Sequence, residues 1–160
     1  MQLTTRGVIH GDIKPENILV FCENENQYVA KVTDFGYSTM FARDSDRILM
    51  PYSKHWTAPE YHHRGFTPMQ ARQMDAYSFG MLCLWLLFDR MMTDREGNIK
   101  EDPEISEDIV EYTSDLTEKT LHLSDQVNYS LHNLFKLSLS KDPAQRTADF
   151  STFLELLSCR

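Results

Sequence analysis

His10-Gly11-Asp12-Ile13-Lys14-Pro15-Glu16-Asn17 places a histidine, an aspartate, a lysine and an asparagine within eight consecutive positions. Pro15 fixes its own φ and carries no N–H, so the stretch reads as a rigid loop and not a periodic element. Apolar residues bracket it, Val8 and Ile9 before and Ile18, Leu19, Val20 and Phe21 after. A polar loop pinned between two apolar flanks can hold reactive side chains in fixed geometry.

Outward from the loop, Ile18 to Phe21 reads as a short buried strand. Glu23-Asn24-Glu25-Asn26 is a polar turn, and Tyr28 to Thr33 is the returning strand of a hairpin near residues 18 to 33. That strand delivers Asp34-Phe35-Gly36 to its end. Residues 34 to 60 then show no sustained period. Ordinary connections have a median of about 4–6 residues, so a segment this long is functional or mobile.

Helical spacing dominates the remainder. Gln73 to Phe88 is apolar almost all round, which predicts a central helix covered on every side and the most buried element of the fold. Asp94 to Pro103 reads as an exposed connection. Ser106 to Leu123 is a weaker amphipathic helix with Ile109, Tyr112 and Leu116 inward. Ser124 or Asp125 can cap a helix whose stripe is Val127, Leu131, Leu134 and Phe135. Phe150, Phe153, Leu154 and Leu157 give the last helix its i, i+3, i+4, i+7 face. The fold class is therefore mainly α with a small β-hairpin.

Composition narrows the function. At 160 residues and 41% hydrophobic content, the chain can bury one real core. Its net charge of −8 disfavours nucleic acid and acidic lipid as partners. The longest apolar run, Met81 to Phe88, is eight residues and too short to span a bilayer. Cys22, Cys83 and Cys159 form no zinc pattern and suit reduced thiols, so a cytoplasmic or nuclear setting is expected. His55, His62 and His63 lack metal-site spacing and read as structural or surface histidines.

Five short motifs carry the chemistry, in this order: the opening loop, Asp34-Phe35-Gly36, Ala58-Pro59-Glu60, Asp75-Ala76-Tyr77-Ser78-Phe79-Gly80, and Asp142-Pro143-Ala144-Gln145-Arg146. Singly, most have plain readings. Asp34-Phe35-Gly36 could be a turn after a strand. Asp75 could be a residue of a first helical turn, where the helix dipole favours it. Asp142 could be a cap, and Arg146 a surface cation. In sequence and at this spacing they resemble the protein kinases, and the resemblance covers residues 8 to 158. Lys14, two positions after Asp12, resembles the serine/threonine subclass. Gly11 stands where the family usually has Arg, and Tyr52 where it usually has Gly. Ser53 stands where the subclass usually has a Thr near the catalytic pair.

The resemblance implies roles. Asp12 orients or accepts the proton of a substrate hydroxyl, and Lys14 neutralises the γ-phosphoryl of ATP. Asn17 and Asp34 supply oxygen ligands to Mg2+. Leu19 lies against the nucleotide. His10 packs on Phe35, Asp75 holds the backbone of the loop, and Glu60 pairs with Arg146. The implied organisation is one partial kinase domain over 1–160. Its parts are the loop and strand at 8–21, an activation segment at 34–60, a central helix at 73–88 and C-terminal helices at 124–158.

The six glycines, Gly7, Gly11, Gly36, Gly65, Gly80 and Gly97, never form G-x-G-x-x-G, and no Val-Ala-Ile-Lys strand occurs. The expectation is a large lobe only, with the small lobe absent and an apolar upper face left for a partner to cover. Two functions fit. One is a serine/threonine kinase fragment acting on a protein substrate. The other is a catalytically inactive truncated remnant that serves as a protein-binding module.

Overall fold

The computed structural model describes residues 8–24, 27–41, 43–44, 46–92, 109–120 and 123–157. Strand β1 (Val8–Ile9) leads into the polar loop, which closes in a 3-10 turn over Pro15–Asn17. β2 (Ile18–Asn24) and β3 (Gln27–Val32) form an antiparallel hairpin in which Ile18 faces Val32 and Val20 faces Ala30. A 3-10 turn at Phe35–Tyr37 follows, then β4 (Thr39–Met40), which pairs antiparallel with β1. Four helices complete the order: α1 (Pro68–Met92), α2 (Ile109–Thr120), α3 (Asp125–Leu139) and α4 (Ser151–Leu157).

The hairpin stands where the sequence places it, but its first strand is not buried. Leu19, Val20 and Phe21 are 47%, 64% and 45% exposed. An apolar run shows that a strand could be covered; it does not show that anything covers it.

α1 begins five residues before Gln73. Thr67 and Gln70 cap it reciprocally: Thr67 N–H donates to Gln70 Oε1 at 3.0 Å and Gln70 N–H donates to Thr67 Oγ1 at 3.3 Å. Pro68 sits at the first helical position, where its missing N–H costs nothing. Non-helical angles at Phe88 (φ −130°, ψ 23°) kink the far end. Most of the helix is buried, yet Leu86 and Leu87 face solvent, so the covering is not complete.

α1 packs on α3, and Gly80 makes that approach possible. A Cβ there would collide with the Ser138 side chain and sit 2.8 Å from Leu139 Cδ2. The main core gathers Leu84, Leu134, Phe135, Leu139 and Phe153 around this contact. A second core joins Ile9, Ile48, Phe66, Ala71 and Met74 beneath the loop, and Tyr77 packs against both.

In α2, Ile109 and Leu116 are buried and Tyr112 is half-buried. In α3, Leu131, Leu134 and Phe135 are buried, but Val127 is 40% exposed because it lies in the first turn, short of α1. In α4 only Phe153 is buried; Leu154 and Leu157 are 50% and 54% exposed. The expected connection at Asp94 to Pro103, residues 106–108 and 121–122 of the expected second helix, and Cys159 lie outside the described residues.

Candidate active site

Asp75 organises the loop from the first third of α1. Its buried carboxylate accepts the backbone N–H of His10 at 2.7 Å and of Gly11 at 2.9 Å. Gly11 adopts φ +84°, and a Cβ there would meet the Tyr37 carbonyl at 3.2 Å, so glycine suits the turn. Burial pushes the Asp75 carboxyl up to about 7, while the two backbone N–H groups pull it down.

His10 is buried and fixed at both ring nitrogens. Nδ1 accepts Asp12 N–H at 3.3 Å, so the proton resides on Nε2, which donates to the Thr33 carbonyl at 3.0 Å. Its ring meets Phe35 edge-on at 5.4 Å. Ser38 Oγ donates to the His10 carbonyl at 3.1 Å. These contacts tie the loop to the end of the hairpin and to the start of the long segment.

Asp12 then collects a set of polar partners. Lys14 Nζ lies 2.8 Å from Oδ2, Ser53 Oγ donates to Oδ1 at 2.6 Å, and Asn17 Nδ2 donates to Oδ2 at 3.2 Å. Asn17 Nδ2 also donates to the Asp12 carbonyl at 2.8 Å. Lys14 Nζ reaches Ser53 Oγ at 3.4 Å. Burial raises the Asp12 carboxyl, but the Lys14 ammonium and the Ser53 and Asn17 bonds outweigh it and hold the carboxyl below its usual range. The Asp12 hydrogen bond holds the Lys14 ammonium above its usual range. The pair is ionised at neutral pH, so Asp12 is an acceptor for a hydroxyl proton and Lys14 is a cation beside it.

Asn17 and Asp34 provide oxygen. The Asn17 amide nitrogen faces Asp12, and its amide oxygen receives no hydrogen bond among the described residues. Asp34 stands at φ 56° at the end of the hairpin, exposed, with Oδ1 accepting Gly36 N–H at 3.1 Å. That leaves one carboxylate oxygen and one amide oxygen available. Magnesium usually takes only one or two such side chains and completes its octahedron with phosphate and water, so this donor set fits Mg2+ arriving with a nucleotide. Among the described residues no group of three or more His, Cys, Asp or Glu side chains could hold a metal alone. Leu19 lies 47% exposed on β2, opposite Lys31.

Farther down, Arg146 and Glu60 form a bidentate pair at 2.6 and 3.0 Å. The Arg146 side chain is fully buried. It also donates from Nε to the Ser140 carbonyl at 2.6 Å and lies 4.8 Å from the Tyr77 ring centroid. Tyr77 belongs to a motif read from the sequence, but its contact with Arg146 and the Ser140 carbonyl do not, because a ring face and a carbonyl leave no residue pattern. His62 stacks on Phe66 at 4.5 Å and His63 Nδ1 meets Tyr61 Oη at 3.2 Å. A cavity of about 820 Å³ opens between α2 and α3, lined in part by Ser114, His132 and Lys136, and contains none of the groups around Asp12.

Comparison with known proteins agrees with this geometry. The sequence matches the family described as protein kinase domain over residues 2–157. It is 38% identical over 103 residues to a G-type lectin S-receptor-like serine/threonine-protein kinase of Arabidopsis thaliana, covering 61% of this chain and 12% of that protein. It is 31% identical over 139 residues to a probable serine/threonine-protein kinase of Dictyostelium discoideum, covering 87% and 18%. A further Arabidopsis thaliana serine/threonine-protein kinase is 27% identical over 147 residues, covering 91% and 32%. The chain thus spans a third or less of the length of each of these relatives. A loop anchored by Asp75, an ionised Asp12–Lys14 pair and a profile match over nearly the whole sequence place the chain in the protein kinase family.

Proposed function

We propose that this chain is the large-lobe part of a serine/threonine protein kinase that transfers the ATP γ-phosphoryl group to a protein hydroxyl. The observation that carries the reading is the Asp12 cluster. A hydroxyl already sits 2.6 Å from the carboxylate, in Ser53, and an ammonium stands 2.8 Å from the other oxygen. A substrate hydroxyl in that position would pass its proton toward Asp12, while Lys14 would offset charge on the transferred group. Asn17 and Asp34 would hold Mg2+, which neutralises phosphate charge when bound. Glu60 and Arg146 would hold the end of the activation segment, and Phe35 would be positioned by His10. Leu19 would lie beside the nucleotide.

The 160-residue chain alone should transfer phosphate poorly, because nothing in its sequence supplies a glycine-rich loop or the lysine strand that grip ATP. The test is transfer from labelled Mg·ATP to a generic protein substrate by the gene's full product, with Asp12→Asn as control. Transfer abolished in the control is expected. Transfer that survives Asp12→Asn refutes the assignment. One observation favours the second reading, a non-catalytic module that binds a protein partner: Leu19, Val20, Phe21, Tyr28 and Phe35 are all exposed. Single exposed apolar residues mean little, but Leu19 and Phe21 share one face of β2 and form the start of such a surface.

A further inference from the structure

The chain carries a net charge of −8, yet the segment around Ser53 has the opposite sign. Residues 43–72 hold Arg43, Arg47, Lys54, Arg64 and Arg72 against Asp44, Asp46 and Glu60, and Arg146 takes the last of these carboxylates. His62 and His63 add imidazoles beside Arg64. Among the described residues, no carboxylate pairs with the guanidinium of Arg43, Arg47 or Arg64, and all three residues are exposed. Asp44 and Asp46 lie between Arg43 and Arg47, and Asp46 Oδ2 accepts the Arg43 N–H at 3.0 Å, yet with Glu60 taken by Arg146 the segment still holds five cations against two carboxylates in an acidic protein.

The stretch that carries Arg43 and Arg47 is tied to the candidate active site at both ends. Met40 pairs with Val8, two residues before the loop, and Ser53 bonds Asp12, so Arg43 and Arg47 lie on the span strung between those two anchors. The isolated Ile48–Phe66 bridge brings residues 64–66 alongside, and Arg47 Nη1 reaches the Gly65 carbonyl at 3.5 Å, next to Arg64. Tyr61 ties the same stretch together: its hydroxyl meets the Met50 carbonyl and His63 Nδ1, each at 3.2 Å.

We infer that the protein substrate presents its acceptor hydroxyl within an acidic segment, with Arg43, Arg47 and Arg64 facing its carboxylates. This rests on the kinase reading for the position of the acceptor hydroxyl. Guanidinium groups suit carboxylates because their planar fork donates two parallel hydrogen bonds. The three arginines are specificity residues and take no part in the transfer itself.

The test uses fluorescein-labelled serine peptides flanked by glutamate, alanine or lysine, with anisotropy as the readout. The glutamate peptide should bind the 160-residue chain about five- to tenfold more tightly than the alanine peptide, with the lysine peptide weakest. That preference should fade as salt rises from about 50 to about 200 mM. Arg43→Ala/Arg64→Ala should abolish it without moving the thermal melting point, since both side chains are exposed. Equal binding of the three peptides overturns the inference, as does a preference that persists in the double variant. A single-stranded thymidine oligonucleotide bound as tightly as the glutamate peptide also overturns it, because the rim would then be a general polyanion surface. Transfer by the full gene product separates the two claims. Transfer to alanine and glutamate peptides at equal rates sinks the specificity and leaves the kinase standing. Selective binding of the glutamate peptide with no transfer to any peptide upholds the acidic-segment preference and removes the catalytic reading.

Discussion

Glu60→Ala should destabilise the fold far more than a surface charge deletion. The variant strands the fully buried Arg146 guanidinium, which now holds Glu60 at 2.6 and 3.0 Å. Breaking a buried pair from one side costs about 3–5 kcal/mol. The Glu60 side chain is 26% exposed, so water can partly replace it, and about 2–4 kcal/mol is the expected loss. Arg146→Ala removes the bond to the Ser140 carbonyl and the contact with Tyr77 as well, and should cost about 4–5 kcal/mol. The double variant should cost little more than Arg146→Ala, giving a coupling of about 2 kcal/mol. Urea titration followed by tryptophan fluorescence reads this well, because Trp56 lies 6.4 Å from Trp85 and its carbonyl accepts Ser78 Oγ on α1. Single costs that add to within about 0.5 kcal/mol would refute the buried-pair reasoning.

Gly80→Ala should lose about 1–3 kcal/mol in the same titration, because the new methyl meets Ser138 and Leu139; pairing it with Ser138→Gly should recover part of the loss. Under native conditions, maleimide should label exposed Cys22 and spare Cys83, whose thiol burial pushes up to about 12; mass spectrometry of the labelled peptides reads both, and native labelling of Cys83 would contradict its placement in α1. Asp75 gives a pH dependence with a fixed sign. Its folded value of about 7 lies above its ordinary 3.8, so the folded state holds the proton more tightly and this contribution to stability falls as pH rises from about 4 to about 7, by up to about 4 kcal/mol. Melting curves should show that decline, and Asp75→Asn should flatten it.

The hairpin and the central helix were legible in the sequence because alternation and an all-round apolar run are local signals. The helix start was missed, because apolar periodicity passes over the cap that Thr67 and Gln70 form before Gln73. Burial was not legible. The Ile18 to Phe21 run and residues Val127, Leu154 and Leu157 have core composition, but exposure depends on which neighbour arrives, a tertiary fact. The β1–β4 pair was hidden because two-residue strands carry no period. At the candidate site, residue types and order pointed to Asp12, Lys14, Asn17 and Asp34. The Thr33 carbonyl that sets the His10 tautomer and the Ser140 carbonyl behind Arg146 are backbone groups, which a sequence never marks.

The two bonds from Asp75 to His10 and Gly11 cross 65 and 64 positions of chain. The loop that carries Asp12 has short-range bonds of its own, from Asn17 to the Asp12 carbonyl and from Asp12 N–H to His10, but its entry is fixed from far along the chain. That entry is set by α1, and it closes only after a long stretch of chain has been brought back on itself, an entropic cost that grows with loop length. Transplanted into another scaffold, residues 10–17 would keep their side chains and lose their geometry. Hydrogen exchange at the His10 and Gly11 amides would track the opening of α1 rather than local fraying.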